Sequence, residues 1–118
     1  MKNILVYDWV VEGKKENPYY YSVDKNKFSL EFTEKSIHLI DIDFNCLDGF
    51  ITHYSPSAFI IKFSKVISER NFPVIQYRSS PNDLKKGIEF FKVCKVPLKN
   101  LYQIQTPEEL GILLRKIF

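Results

Sequence analysis

A chain of 118 residues is the length of one domain, so residues 1–118 are read as a single unit with enough mass for its own core. Hydrophobic residues at 45% and charged residues at 26% exclude a disordered chain, and no apolar stretch approaches the roughly 18 residues of a membrane span. The net charge of +3 comes from basic residues scattered among acids, which argues against a nucleic-acid face, and two cysteines with no secretion signal point to the cytoplasm.

The first strand-like run is Ile4-Leu5-Val6-Tyr7, ending at Asp8. Glu12 to Pro18 has loop composition. Pro18–Val23 and Phe28–Phe32 are short aromatic runs flanking Asp24-Lys-Asn-Lys27, the pattern of an inserted β-hairpin. Tyrosines of this segment 18–32 suit a protein interface, although strand alternation turns half of its aromatics toward the core. Ile37–Ile42 reads as the next strand, with His38 inside it as a structural residue.

Three helix starts follow, each a hydroxyl before a proline: Ser55-Pro56, Ser80-Pro81 and Thr106-Pro107. At such a start the side-chain oxygen accepts an orphan N–H, and the proline ring has no hydrogen bond to lose. Thr106-Pro-Glu-Glu109 is a capping box with acids at the positive end of the dipole. Helical periodicity follows each start: Phe59, Phe63, Val66 and Ile67; then Leu84, Ile88 and Phe91; then Leu110, Leu113, Leu114 and Ile117. Phe72–Tyr77 and Leu101–Ile104 are the strands between them. Alternating strand and helix is the signature of right-handed parallel crossovers. The expected architecture is a three-layer α/β domain with a mostly parallel sheet of flavodoxin-like type and an N-terminal β-hairpin insertion.

In such sheets ligands gather beyond the carboxyl ends of the strands. Asp8 follows the first expected strand, Asp41 and Asp43 stand around the end of the second, Arg78, Ser79 and Ser80 follow the third, and Gln105 and Thr106 the fourth. Paired carboxylates such as Asp8 and Asp41 can hold a Mg²⁺, a hard ion that takes oxygen ligands, and one carboxylate can accept a phosphoryl group. The same acids also serve as solvated loop residues, and no other cofactor is expected. With His38 and His53 the only histidines and no CxxC spacing, a transition-metal site has no ligand set.

The run Leu39-Ile-Asp-Ile-Asp-Phe-Asn-Cys-Leu-Asp-Gly-Phe50 resembles the acceptor strand and following loop of response-regulator receiver domains, with Asp41, Asp48 and Gly49 at the family's spacing. The resemblance covers about 80 residues plus Ile4 to Asp8. It implies Asp41 as phospho-acceptor, Asp8 as the metal carboxylate, Asp43 offering its carbonyl, and Ser79 steadying the phosphoryl group. The chain departs from the family at Trp9, where a second acid would stand, at Asn45 in place of proline, at Arg78 where the hydroxyl aligns, and at Gln105 or Thr106 in place of lysine. Without that lysine the resemblance implies a pseudo-receiver, a signalling module acting through another protein. Asp41-Ile-Asp43 with Leu47-Asp48 is also similar to the first motif of haloacid dehalogenase-like phosphohydrolases. That likeness makes Asp41 the nucleophile, Asp43 the acid/base and Ser79 the phosphate-binding hydroxyl. A third reading is an immunity, inhibitor or phage-type binding protein without catalysis.

Overall fold

The computed structural model describes residues 1–9, 17–35, 39 and 41–118. Five strands form one all-parallel sheet: β1 (Lys2–Tyr7), β2 (Phe28–Thr33), β3 (Gly49–Thr52), β4 (Val74–Tyr77) and β5 (Leu101–Ile104). Their order is β2-β1-β3-β4-β5, an arrangement compatible with a flavodoxin-like fold. Three helices follow the last three strands: α1 (Ser57–Arg70), α2 (Pro81–Val93) and α3 (Pro107–Ile117).

β3 and β4 are buried at every position, because a central parallel strand is covered on both faces. On one face Leu5, Phe50 and Val74 meet Phe59, Ile60 and Ile67 of α1 and Phe91 of α2. Phe50 and Phe59 stack with ring centroids 4.0 Å apart. On the other face Ile4, Val6, Ile51, Ile75 and Tyr77 pack with Tyr20, Leu110 and Leu114. Leu114 is buried as the helical period requires, while Leu113 is only half-buried.

Two helix caps form as the sequence predicts. Ser80 accepts the Asp83 N–H at 3.1 Å, and Thr106 and Glu109 complete the reciprocal capping box. The third does not. α1 begins one residue later, with Pro56 as its cap residue and no side-chain cap, and the Ser55 hydroxyl is left without a hydrogen-bond partner. Gly87 is required where α2 crosses β4, since a Cβ there would lie 2.2 Å from Gln76 Oε1.

Two expectations are corrected. The strand expected at 37–42 lies partly outside the described residues (Ile37, His38 and Ile40). Its described members, Leu39, Asp41 and Ile42, form a 3-10 position and a bend. The strand is instead Gly49–Thr52, aligned with Ile4–Tyr7 of β1. Gly49 admits this pairing, because Ile4 Cδ1 and Phe118 Cζ approach to within 3.0 and 3.1 Å of where its Cβ would stand. The inserted hairpin is absent: Pro18–Tyr20 is a 3-10 turn capped by the Asn17 side chain, and β2 pairs in parallel with β1. Proline at the first position and a buried Tyr20 ring, edge-on to Phe32 and Tyr77, hold that turn against the sheet. The Asp24–Lys27 turn does form and feeds β2, with the N–H groups of Lys27 and Phe28 donating to the Asp24 carbonyl.

Candidate functional site: a polar cluster at the carboxyl edge

β1 ends at Tyr7, and Asp8 continues its pairing by donating its N–H to the Thr33 carbonyl at 3.1 Å. The Asp8 side chain is completely buried. Burying a carboxylate is costly unless it is paired and hydrogen-bonded. Here Oδ1 accepts the Trp9 N–H and Oδ2 accepts the Tyr20 hydroxyl, each at 2.8 Å. The Arg78 guanidinium stands 3.7 Å from Oδ2, an ion pair without a hydrogen bond.

Arg78 follows β4 with φ 59°, a left-handed conformation that is uncommon outside glycine, asparagine and aspartate. Its N–H is tied to the Ile104 carbonyl at 3.1 Å. The guanidinium lies over the Tyr19 ring, 3.4 Å from the centroid, and Tyr19's carbonyl accepts the Tyr77 hydroxyl at 2.7 Å. The 3-10 turn thus clamps the exits of β1 and β4 together. Burial raises the Tyr20 phenol far above its ordinary value, and the Asp8 charge and hydrogen bond raise it further. It stays a neutral donor to Asp8. Burial likewise raises Tyr77 and Tyr54, the latter helped by the Asp8 charge.

His53 follows β3 and donates its N–H to the Tyr7 carbonyl at 3.0 Å. Strand alternation puts Ile4, Val6, Ile51, Ile75 and Tyr77 on one face, and the same alternation carries Asp8 and His53 onto it. The Asp8–Arg78 ion pair reaches from β1 to β4 across the exit of β3, where His53 stands. Among the described residues, the buried side-chain polar atoms lacking any hydrogen-bond partner are His53 Nδ1, Ser55 Oγ, Arg78 Nη1 and Ser79 Oγ. All four belong to the segments leaving β3 and β4.

Of the residues singled out from sequence, Asp8 and Ser79 are at this edge, each following a strand and each buried. Asp41 and Asp43 do not end a strand. They lie in the connection from β2 to the entry of β3. Asp43 caps the 3-10 turn Phe44–Cys46, accepting from Asn45 N–H at 3.1 Å and Cys46 Sγ at 3.2 Å. The carbonyl of Cys46 in turn meets Asn3 at the start of β1, so Asp43 belongs to the amino edge. Asp41 is exposed. Among the described residues no three His, Cys, Asp or Glu side chains are grouped to hold a metal ion. Tyr20, His53 and Ser55 also belong to this edge. The tyrosine run marked the first, but His53 and Ser55 become edge residues only once β3 is placed at 49–52.

The fold and edge define a small parallel α/β protein of flavodoxin-like character. No family model, curated protein or solved structure matches it.

Proposed function

We propose that the chain is a receiver-like regulatory module that works through contacts with another protein in the cytoplasm and does not run on phosphoryl transfer. One observation carries this reading: Asp8, the carboxylate that would meet a Mg²⁺, is already committed. It is buried, accepts from Tyr20 and Trp9, and faces Arg78 at 3.7 Å. A guanidinium so placed supplies the positive charge that a metal would bring. The strand order β2-β1-β3-β4-β5 supports the receiver-like part. Among the described residues the outer side of β5 is unpaired in the sheet, and with the exposed Leu98 beside it this side gives a partner a surface to meet. Cys46 and Cys94 are free, as a reducing compartment keeps them.

Incubated with Mg²⁺ and a small acyl-phosphate donor, the protein should keep its mass. A stoichiometric acyl phosphate, lost in Asp41→Asn or Asp8→Asn, would overturn the reading. Steady phosphate release from a monoester, abolished by Asp41→Asn or Asp43→Asn, would move the protein to the haloacid dehalogenase-like hydrolases. For the contact surface, Leu98→Asp should leave the melting temperature unchanged and abolish capture of a partner. Capture indifferent to that substitution would put the contact elsewhere.

A further inference from the structure

We infer that the carboxyl edge binds a small oxyanion, a carboxylate or phosphate group held without covalent chemistry between His53, Arg78 and Ser79. The inference rests on the regulatory reading only in making that anion the module's signal.

Buried polar groups are nearly always hydrogen-bonded, and each exception calls for an explanation such as a missing water or ion. Here the exceptions among the described residues are not dispersed. His53 Nδ1, Arg78 Nη1 and Ser79 Oγ belong to the exits of two neighbouring strands, and Ser79 is 5% exposed. Each of the three can donate a hydrogen bond, and the arginine carries a permanent charge. The matching partner is an acceptor-only group with several oxygens, which describes a carboxylate or phosphate.

Asp8 puts a negative charge 3.7 Å from the Arg78 guanidinium, and its compensation decides whether an anion can enter. Its two oxygens already accept the Trp9 N–H and the Tyr20 hydroxyl. Arg78 stands beyond hydrogen-bond distance from it at 3.7 Å, with Nη1 unpartnered. Asp8 therefore holds Arg78 in place by charge while leaving its donor available. The Arg78 side chain is 19% exposed, which keeps one side open to solvent. The guanidinium is fixed from below by the Tyr19 ring and by a left-handed backbone, so little freedom is lost when an anion binds. The site lies beside the switch in strand order between β1 and β3, where parallel sheets collect ligands.

The test is calorimetric titration and thermal melting of the whole chain with inorganic phosphate, acetate and malonate, against chloride at equal ionic strength. One of the oxyanions should bind saturably and raise the melting temperature. The arms separate a phosphate site from a carboxylate site. Ser79→Ala and His53→Leu remove side-chain atoms, Ser79 Oγ and His53 Nδ1, that have no hydrogen-bond partner in the protein. Both variants should melt at or above the wild-type temperature without anion, yet bind the anion about tenfold more weakly, the loss of roughly one hydrogen bond to a charged group. Arg78→Lys keeps the charge opposite Asp8 but loses the fork, and should weaken binding as well. No saturable binding of any of the three anions would overturn the inference. So would melting losses in Ser79→Ala and His53→Leu with an unchanged anion response, which would make these side chains structural. Because the anion leaves the mass unchanged, this result and the phosphodonor result can fail independently.

Discussion

The two edges of the sheet use the same residue types to opposite ends. At the amino edge Asp43 caps a turn, and Asp48 accepts the Asn3 N–H at 2.8 Å while donating its own N–H to the Asn3 carbonyl. Arg70, at the end of α1, gives Nη1 to the Phe44 carbonyl and Nη2 to the Leu47 carbonyl, both at 3.3 Å, with its plane near the Phe44 and Phe72 rings. Each of those side chains is spent on nearby backbone groups, Asp43 accepting from the Cys46 thiol as well. At the carboxyl edge the second arginine, Arg78, faces a buried acid and keeps a donor unused, and His53, Ser55 and Ser79 each hold an unpartnered atom. The amino edge is built to close the connection from β2 to β3. The carboxyl edge tolerates unsatisfied groups that a purely structural surface would have lost, which is the pattern expected where stability yields to function.

The sharpest way to break this contrast is to remove one acid from each edge. Asp8→Ala leaves Arg78 and the Tyr20 hydroxyl without their counterpart, and should cost about 3–5 kcal/mol in denaturant unfolding, the cost of orphaning a buried pair. A loss under about 1 kcal/mol would show that the Asp8–Arg78 pair is held no more tightly than a surface salt bridge.

Alkaline pH tests the same cluster more gently. Tyr20 has its phenol raised above the ordinary value of 10.0 by burial and by Asp8. Above about pH 10 the unfolded chain therefore releases a proton that the folded chain keeps. The stabilisation is fully present below that pH and falls as pH rises, by up to about 1.4 kcal/mol per pH unit for this one group. Tyr77 adds in the same direction, since burial raises it too. Tyr20→Phe should flatten the decline by one group's share. An unaltered slope would mean that Tyr20 ionises freely in the fold.

The smallest effect belongs to the amino edge. Asp43→Ala removes a cap from a short 3-10 turn and should cost about 1 kcal/mol, with no change in anion response. A loss matching that of Asp8→Ala would erase the difference between the edges.

The readable part of the sequence is its last 70 residues. Ser80, Thr106 and the prolines behind them mark helices through hydrogen bonds made within four residues, and Phe72–Tyr77 and Leu101–Ile104 stand out between them as short apolar runs. Asp8 and Ser79 were legible as strand-exit residues for the same local reason. β3 was not, because Asp48-Gly49 looks like a turn when only neighbours are considered. Its glycine serves instead to let Ile4 and Phe118 come close. Nor could alternation in Phe28–Thr33 say whether its partner runs parallel or antiparallel, since both present the same face pattern.

Local chemistry thus determined the helices, the positions of four of the five strands and the α/β class by itself. Tertiary structure alone decided that β3 is Gly49–Thr52, which removes Asp41 and Asp43 from the strand exits and puts His53 there. It alone set Arg78 against Asp8, 70 positions earlier in the chain, across an intervening strand. Strand order is chosen by how the whole sheet buries its two faces. That sum over distant side chains leaves no mark in any short window of sequence.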